Sequence, residues 1–483
     1  VNGEIGKNNK DEKIEKPELD PIKFPTTGNS TYLKTLIASN EGKMTYEIFN
    51  TKNVSISPFQ DKIDLHYMKN QDNRLFRLVI LFGAGNKEYP KLRYATGLLN
   101  NAGVLNQYTS DELRKKFGDL NVSYSFQSDD YHTYIVMQGY EEKLAEACQL
   151  LSRLMLIPEV TEKSLDGIIG RVLNGRAIEK KSIATVQEAL VENILYGDKS
   201  EYIDRLSNSD VISLSPSELT GVFNDAISHE AKIFYYGRLG QAEVKNILSK
   251  NLAFSANRKD RILPIRKALK KHNENTIFLV NEPKAKQAHI HLFIESEKIP
   301  LEEIPKVEAF NQYFSGSFNG LVIKEIREYR ALAYAAGAVL STPIYRDWTS
   351  ILSSYVGTQA DKTAQSVEVL VELIQDMPKY PDRMLGVKNY LKNGSEVEAE
   401  DKFSFLIDSY NWSEMGYDGN PLDHKLPLYN QLNFEDVIEV YQKMIKNKKY
   451  VIGIVGKLSD IDQNNLKSQG KIVKVNKNSL FSE

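Results

Sequence analysis

The feature that most constrains this chain is an internal repeat. A strand-like segment ending in glycine, YHTYIVMQG at 131–139, precedes a helical segment over 141–155 that places Leu144, Ala147, Cys148, Leu151 and Met155 on one face. The same order returns at 351–357 (ILSSYVG), followed by 361–377 with Ala364, Val367, Leu370 and Ile374 on one face and Asp361 near the N-cap. Each unit closes on a second strand with a glycine near its end, AKIFYYGRL at 231–239 and KYVIGIVGKL at 449–458. Gly139 and Gly237 are 98 positions apart and Gly357 and Gly456 are 99, so one domain occurs twice at an offset of about 218 positions.

Within each copy, strands lead into long helices and then a further strand. This predicts an α+β fold of two tandem homologous domains, each a mostly antiparallel sheet with helices packed on one face. The expected division is a linker or tail over 1–54 with a helix from 31 to 49, a first domain over 55–255, a basic linker over 256–274, a second domain over 275–470 and a tail over 471–483. The first 30 or so residues are rich in Lys, Glu, Asn and Pro and carry too little apolar surface to offset the entropy of ordering. The linker sequence NRKDRILPIRKALKKH is basic but lacks interleaved aromatics, as a solvated connector does.

Charge excludes several partner classes. Lys plus Arg number 62 against 64 Asp plus Glu, a net charge of −2, so no global field draws the chain to nucleic acid or an anionic surface. No apolar run reaches the roughly 18 residues of a membrane span. The start at Val1, without methionine or signal, is expected of a processed protein or a piece of a longer one.

Familiar catalytic machinery is missing. Cys148 is the only cysteine and lies on an apolar helix face, where a buried structural thiol is expected rather than a nucleophile. None of the seven histidines, His66, His132, His229, His272, His289, His291 and His424, falls in an H-x-x-H, H-E-x-x-H or H-x-x-E-H spacing. His289 and His291 alternate along a strand and face the same way, but two imidazoles make an incomplete metal site. Neither a G-x-S-x-G elbow nor a phosphate loop is present. In FNQYFSGSFNGLVIKEIREYRALAYAAG at 310–337, a small-residue hinge at Ser315, Gly316 and Ser317 separates two helical stretches. The second runs to about Arg330, before Leu332, Tyr334, Ala336 and Ala338 share one face of a strand.

The segment SFNGLVIKEIREYRALAYAAGA resembles the signature of the pitrilysin, insulin-degrading enzyme and mitochondrial processing peptidase family, in which a Gly/Ser-rich turn leads into an R-E-x-x-G-L-A-Y run. KAKQAHIHLFIES, VGTQADKTAQSVEVLVELI and PKLRYATGLLNNAGVLNQYTSDEL are similar to further elements of the same family. Active members carry an inverted zinc motif, H-x-x-E-H, on the first helix, two histidines holding the metal and the glutamate acting as base. Aligning the following glycine on Gly103 puts Tyr94, Gly97 and Leu98 at the three motif positions. A further glutamate ligand is expected downstream, yet VLNGR at 172–176 has none, and Glu179 near by cannot replace two histidines. No metal site and no cofactor is therefore expected in this chain, and zinc is expected in a catalytic partner half.

The resemblance assigns substrate binding to Arg327 and Tyr334, seven residues apart. In the family this pair reaches across a closed chamber to the substrate backbone and the developing oxyanion. A permanently charged planar fork and a neutral hydroxyl suit that task. Ala331 and Ala333 depart from the glycines common at this turn. The expected function is the non-catalytic half of a zinc metalloendopeptidase, inactive alone and completed by an H-x-x-E-H half in the same polypeptide or a partner subunit, with a peptide or unfolded protein as substrate. The alternative is a structural or assembly protein resembling the core subunits of a respiratory complex. No address is written in the residues; the expected compartment is the bacterial cell envelope or periplasm.

Overall fold

Alternating apolar and polar residues in short runs, interrupted by strongly amphipathic helices, give two six-stranded sheets. The computed structural model describes residues 30–32, 34–35, 51–397 and 402–482. Most of the tail expected over 1–54, and of the helix expected from 31 to 49, lies outside them.

The first sheet is built from β1 (Ser55–Gln60), β2 (Ile63–Lys69), β3 (Leu75–Phe82), β4 (Val122–Ser128), β5 (Thr133–Tyr140) and β6 (Ala231–Gly237), in the spatial order β1-β2-β6-β3-β5-β4. The second uses β7 (Thr276–Asn281), β8 (Gln287–Glu295), β9 (Ala333–Leu340), β10 (Ile351–Gln359), β11 (Val451–Gly456) and β12 (Lys471–Val475), in the order β12-β7-β11-β8-β10-β9. Five strands correspond one to one, including a parallel central pair in each sheet, β2 with β6 and β7 with β11. The sixth differs. β1 precedes its neighbour and pairs antiparallel, whereas β12 comes from the end of the chain and pairs parallel. The stretch expected as a tail over 471–483 thus supplies, within residues 471–482, an edge strand and two buried side chains, Leu480 and Phe481.

The repeated glycines occupy matching places. Gly139 on β5 faces Phe76 and Val122, and Gly357 on β10 faces His289 and Ala335. A Cβ at Gly139 would come within 2.5 Å of Val122 Cγ2, so the close strand approach there requires glycine.

Each sheet buries one face under helices of its own domain. In the first these include α1 (Leu92–Leu99), α2 (Ser110–Asp119) and α3 (Leu144–Leu156), with Leu144, Ala147, Cys148 and Leu151 inside. A capping box between Thr109 and Glu112 fixes the start of α2. After α4 (Glu162–Glu179) comes α5 (Ile183–Tyr196). In the second domain α6 (Ile304–Phe314) and α7 (Thr363–Gln375) do the same work, with Val367, Leu370 and Ile374 buried. Asp361 does not cap α7: it lies in a 3-10 turn over Ala360–Lys362, and the helix starts one residue beyond that turn with no side-chain cap.

The opposite faces are covered by exchange between the domains. α5, from the first, sets Val186, Ala189, Leu190 and Ile194 against Phe278, Val280, Val451 and Val455 of the second sheet. In return α8 (Lys402–Met415) lays Phe405, Leu406 and Tyr410 on Met68, Val79, Leu81 and Phe234 of the first. Burial of this kind contributes about 25 cal/mol per Å² of apolar surface, so the exchanged helices tie the copies into one unit.

Candidate functional site

The segment carrying Arg327 is wound to put that residue beside a strand edge. After α6, the chain turns through Ser315, Gly316 and Ser317, makes one helical turn at Leu321–Ile323 and widens into a π-helical stretch over Lys324–Glu328. Its five-residue hydrogen bond runs from the Tyr329 N–H to the Lys324 carbonyl at 2.8 Å. Such widened turns add a residue without adding a turn, which re-aims the side chains they carry. A Cβ on Gly316 would lie 2.6 Å from the Gln312 Cα, so the hinge itself demands glycine.

Ala331 then takes a φ of 47°, in the left-handed region that glycine adopts freely and alanine resists. The turn therefore keeps the glycine conformation with an alanine in place, and it delivers the chain into β9. Pairing between β9 and β10 slips between Ala333 and Ala335. This bulge breaks the alternation expected from Leu332 through Ala338: Leu332 and Ala333 are buried, Ala336 and Ala338 pack against the core, and Tyr334 is thrown outward with 79% of its surface exposed.

The structure brings Arg327 and Tyr334 together. The guanidinium carbon stands 4.7 Å from the Tyr334 ring centroid and 5.5 Å from that of Phe318. Its Nε lies 3.2 Å from Glu328, while Glu325 is engaged by Arg330. The tyrosine ring thus orients a guanidinium whose Nη groups have no hydrogen-bond partner among the described residues.

Both residues line an open groove on the sheet face that α5 leaves uncovered, together with Ser315, Ser353, Tyr355 and His291. His289 and His291 do face the same way, as their spacing predicts. Nδ1 of His289 lies 2.9 Å from the Tyr355 hydroxyl, and Nε2 of His291 lies 3.1 Å from Oε1 of Gln187 on α5. Burial holds the His291 imidazole at about 4, and burial lowers His289 as well. Both rings are therefore neutral hydrogen-bonding groups at neutral pH.

Helix α1 of the first copy, onto which the resemblance aligns the metal motif, is a different environment. Tyr94 and Leu98 on α1 are buried in the core, and Gly97 faces Ile168 of α4. The Tyr94 hydroxyl accepts from Nη2 of Arg176 at 3.5 Å, and Nη1 of Arg176 donates to Asn208 at 2.8 Å. Glu179, the nearby carboxylate, is held bidentately by Arg205 at 2.8 and 2.7 Å. Tyrosine, glycine and leucine supply neither imidazole nor carboxylate, and a fixed guanidinium beside them repels a cation. Among the described residues no group of three His, Cys, Asp or Glu side chains could hold a metal ion. The Arg176 contact had no signal in the sequence, because it depends on how α4 crosses α1.

Residues 228–382 match the family model described as the peptidase M16 inactive domain. No curated protein matches the chain. Among solved structures, a peptidase M16 inactive domain from Pseudomonas fluorescens is similar at a TM-score of 0.67 and 17% identity, over 84% of this chain and 98% of that one. The periplasmic protease PqqL of Escherichia coli matches at a TM-score of 0.67 and 12% identity over 85% of this chain, but this chain spans only 46% of that protein. The ferredoxin protease FusC, solved in complex with Arabidopsis ferredoxin, gives a TM-score of 0.66 at 12% identity, and 47% of it is spanned. The duplicated α+β fold is that of the M16 inactive domains. No helix among the described residues is long and apolar enough to cross a membrane.

Proposed function

We propose that this chain, which through residues 228–382 and its fold is an inactive M16 peptidase domain related to the zinc proteases of that family, is the non-catalytic half of a zinc metalloendopeptidase. The observation that carries this reading is the exposed Tyr334 stacked with Arg327 on the rim of an open groove. A structural arginine and tyrosine would be packed away or fully paired. Here one aromatic hydroxyl and the outer guanidinium nitrogens are left for a ligand.

An extended peptide laid in the groove presents carbonyl oxygens that accept from Arg327. The Tyr334 hydroxyl donates to the oxygen that gains charge as the scissile carbonyl is attacked, and donors fixed in advance avoid reorganisation at that moment. A zinc ion held by an H-x-x-E-H half would supply the activated water. That half lies in the same polypeptide or in a second subunit, and a bacterial periplasm is the proposed compartment, as PqqL is a periplasmic protease.

Reconstitution with an H-x-x-E-H half tests the reading. Tyr334→Phe removes one exposed hydroxyl, so peptide hydrolysis is expected to fall by roughly 10²–10³-fold with little change in stability. Arg327→Lys is also expected to slow hydrolysis, because the ammonium lacks the planar fork. Unchanged hydrolysis in both variants would favour the alternative, a scaffold or assembly protein.

A further inference from the structure

Where α5 ends, the exchange between domains leaves a gap in the packing. Ile194 of α5, Phe293 of β8, Ile351 of β10 and Val451 of β11 line a slot of about 290 Å³ together with Leu269 of the basic linker. The linker is pinned there by hydrogen bonds to the last carbonyls of α5, from the Lys270 N–H to Leu195 at 2.7 Å and between His272 Nε2 and Ile194 at 2.9 Å. These bonds satisfy helix-end acceptors and fix the mouth of the slot.

The mouth is ringed by cations from two directions. Lys270 and Lys271 come from the linker, and Lys448 and Lys449 from the loop before β11. Two are matched by carboxylates: Lys271 with Glu295 at 2.6 Å and Lys448 with Glu297 at 2.9 Å. Glu295 also lines the slot, but it is taken up by Lys271; Lys270, whose side-chain end lies beside Gly197 at the end of α5, and Lys449 have no carboxylate partner among the described residues, so the lining carries two positive charges without a matching carboxylate. A solvated linker needs no such apolar lining, and a structural core needs no such charges.

We infer that this slot binds an aliphatic carboxylate, with the chain on Ile194, Phe293, Ile351 and Val451 and the head group between Lys270 and Lys449. The size fits a small ligand rather than a folded partner, since ligand pockets start near roughly 300 Å³. An apolar cavity of about 150 Å³ accepts benzene, so about twice that admits a chain on the order of ten carbons. Hydrocarbon walls favour an alkyl chain over a peptide, whose amide groups would lose hydrogen bonds against them. Phe293 lines both this slot and the Arg327 groove, but no other residue is common to the two, and occupation of the slot does not depend on peptidase function.

Calorimetric titration of the full chain with decanoate and with decanol tests this. Expected are saturable one-to-one decanoate binding, decanol binding at least roughly tenfold more weakly, and about a tenfold loss for decanoate alone in the Lys270→Gln, Lys449→Gln double variant. Leu269→Trp fills the slot from the linker and is expected to abolish both. The surface double variant leaves the core intact, so it keeps the test open if the tryptophan variant misfolds. Absence of saturable decanoate binding, or binding indifferent to both sets of substitutions, would overturn the inference.

Discussion

The two copies share the order of five strands but differ sharply between α1 of the first and the turn before β9 of the second. In the first, Tyr94 on α1 is 5% exposed and touched by Arg176; in the second, Tyr334 on β9 is 79% exposed and stacks on Arg327. The first copy packs this helix into core, and the second holds polar groups out in solvent at a strained turn. Retention of an exposed Arg and Tyr contributes nothing comparable to stability, which sets the two outcomes apart.

The sharpest test of equivalence is the core. Leu151 on α3 and Leu370 on α7 are fully buried at corresponding points of the two copies. Leu→Ala at either is expected to cost about 2–5 kcal/mol, and Phe405→Ala on the exchanged α8 about 3–5 kcal/mol, in urea denaturation. If the domains are one cooperative unit, all three variants unfold in a single transition. A split transition in Phe405→Ala alone would mean that the exchanged helix, and not each domain's own core, couples the copies.

This much of the fold was legible in the sequence: glycine spacing exposed the duplication, and 3.6-residue periodicity located α3 and α7. The exchange of α5 and α8 was not, because an apolar face says that a helix is covered without saying by which sheet. β12 was missed since KIVKV is five residues long and its partner lies at residue 276 onward. At the site, the spacing of Arg327 and Tyr334 marked two residues that the fold does bring together. The bulge that everts Tyr334 could not be read, because simple alternation along a strand has no term for an inserted residue.

A second contrast concerns acid. His66, under α8 on the first sheet, is 4% exposed, and its Nδ1 has no hydrogen-bond partner among the described residues; His291, beneath α5 on the second, has Gln187. Burial, reinforced by Lys232, lowers His66 from 6.5 to about 4. The unfolded chain therefore takes up a proton that the folded chain refuses. The stability tied to the neutral ring is present above about 6.5, is lost as pH falls from there towards about 4, and amounts to roughly 3 kcal/mol at most. His66→Phe keeps the contacts with Phe234 and Tyr410 and removes both the orphan nitrogen and the proton uptake. Denaturation at pH 7 and pH 4.5 is expected to show near-equal stability at neutral pH and a smaller acid loss in the variant. An unchanged acid loss would place the sensitivity elsewhere, His291 included.

The smallest effect bears on how the second copy came to present its pair. Both copies enter the strand at the free edge of the sheet through a left-handed residue: Asn121, φ 50°, before β4, and Ala331, φ 47°, before β9. Asparagine tolerates this region, whereas alanine there sets its Cβ against the following carbonyl at a cost of about 1–2 kcal/mol. Ala331→Gly removes that contact but adds about 0.5–1 kcal/mol of unfolded-state entropy, so the net stabilisation is expected to lie at or below about 1 kcal/mol. Asn121→Ala imposes in the first copy the strain that the second already bears, and is expected to destabilise by about 1 kcal/mol. The two substitutions should therefore shift the urea midpoint in opposite directions with unchanged slopes. Were Ala331→Gly to destabilise instead, the alanine methyl would be making a contact that outweighs its strain. The turn would then hold Arg327 by packing rather than by backbone geometry.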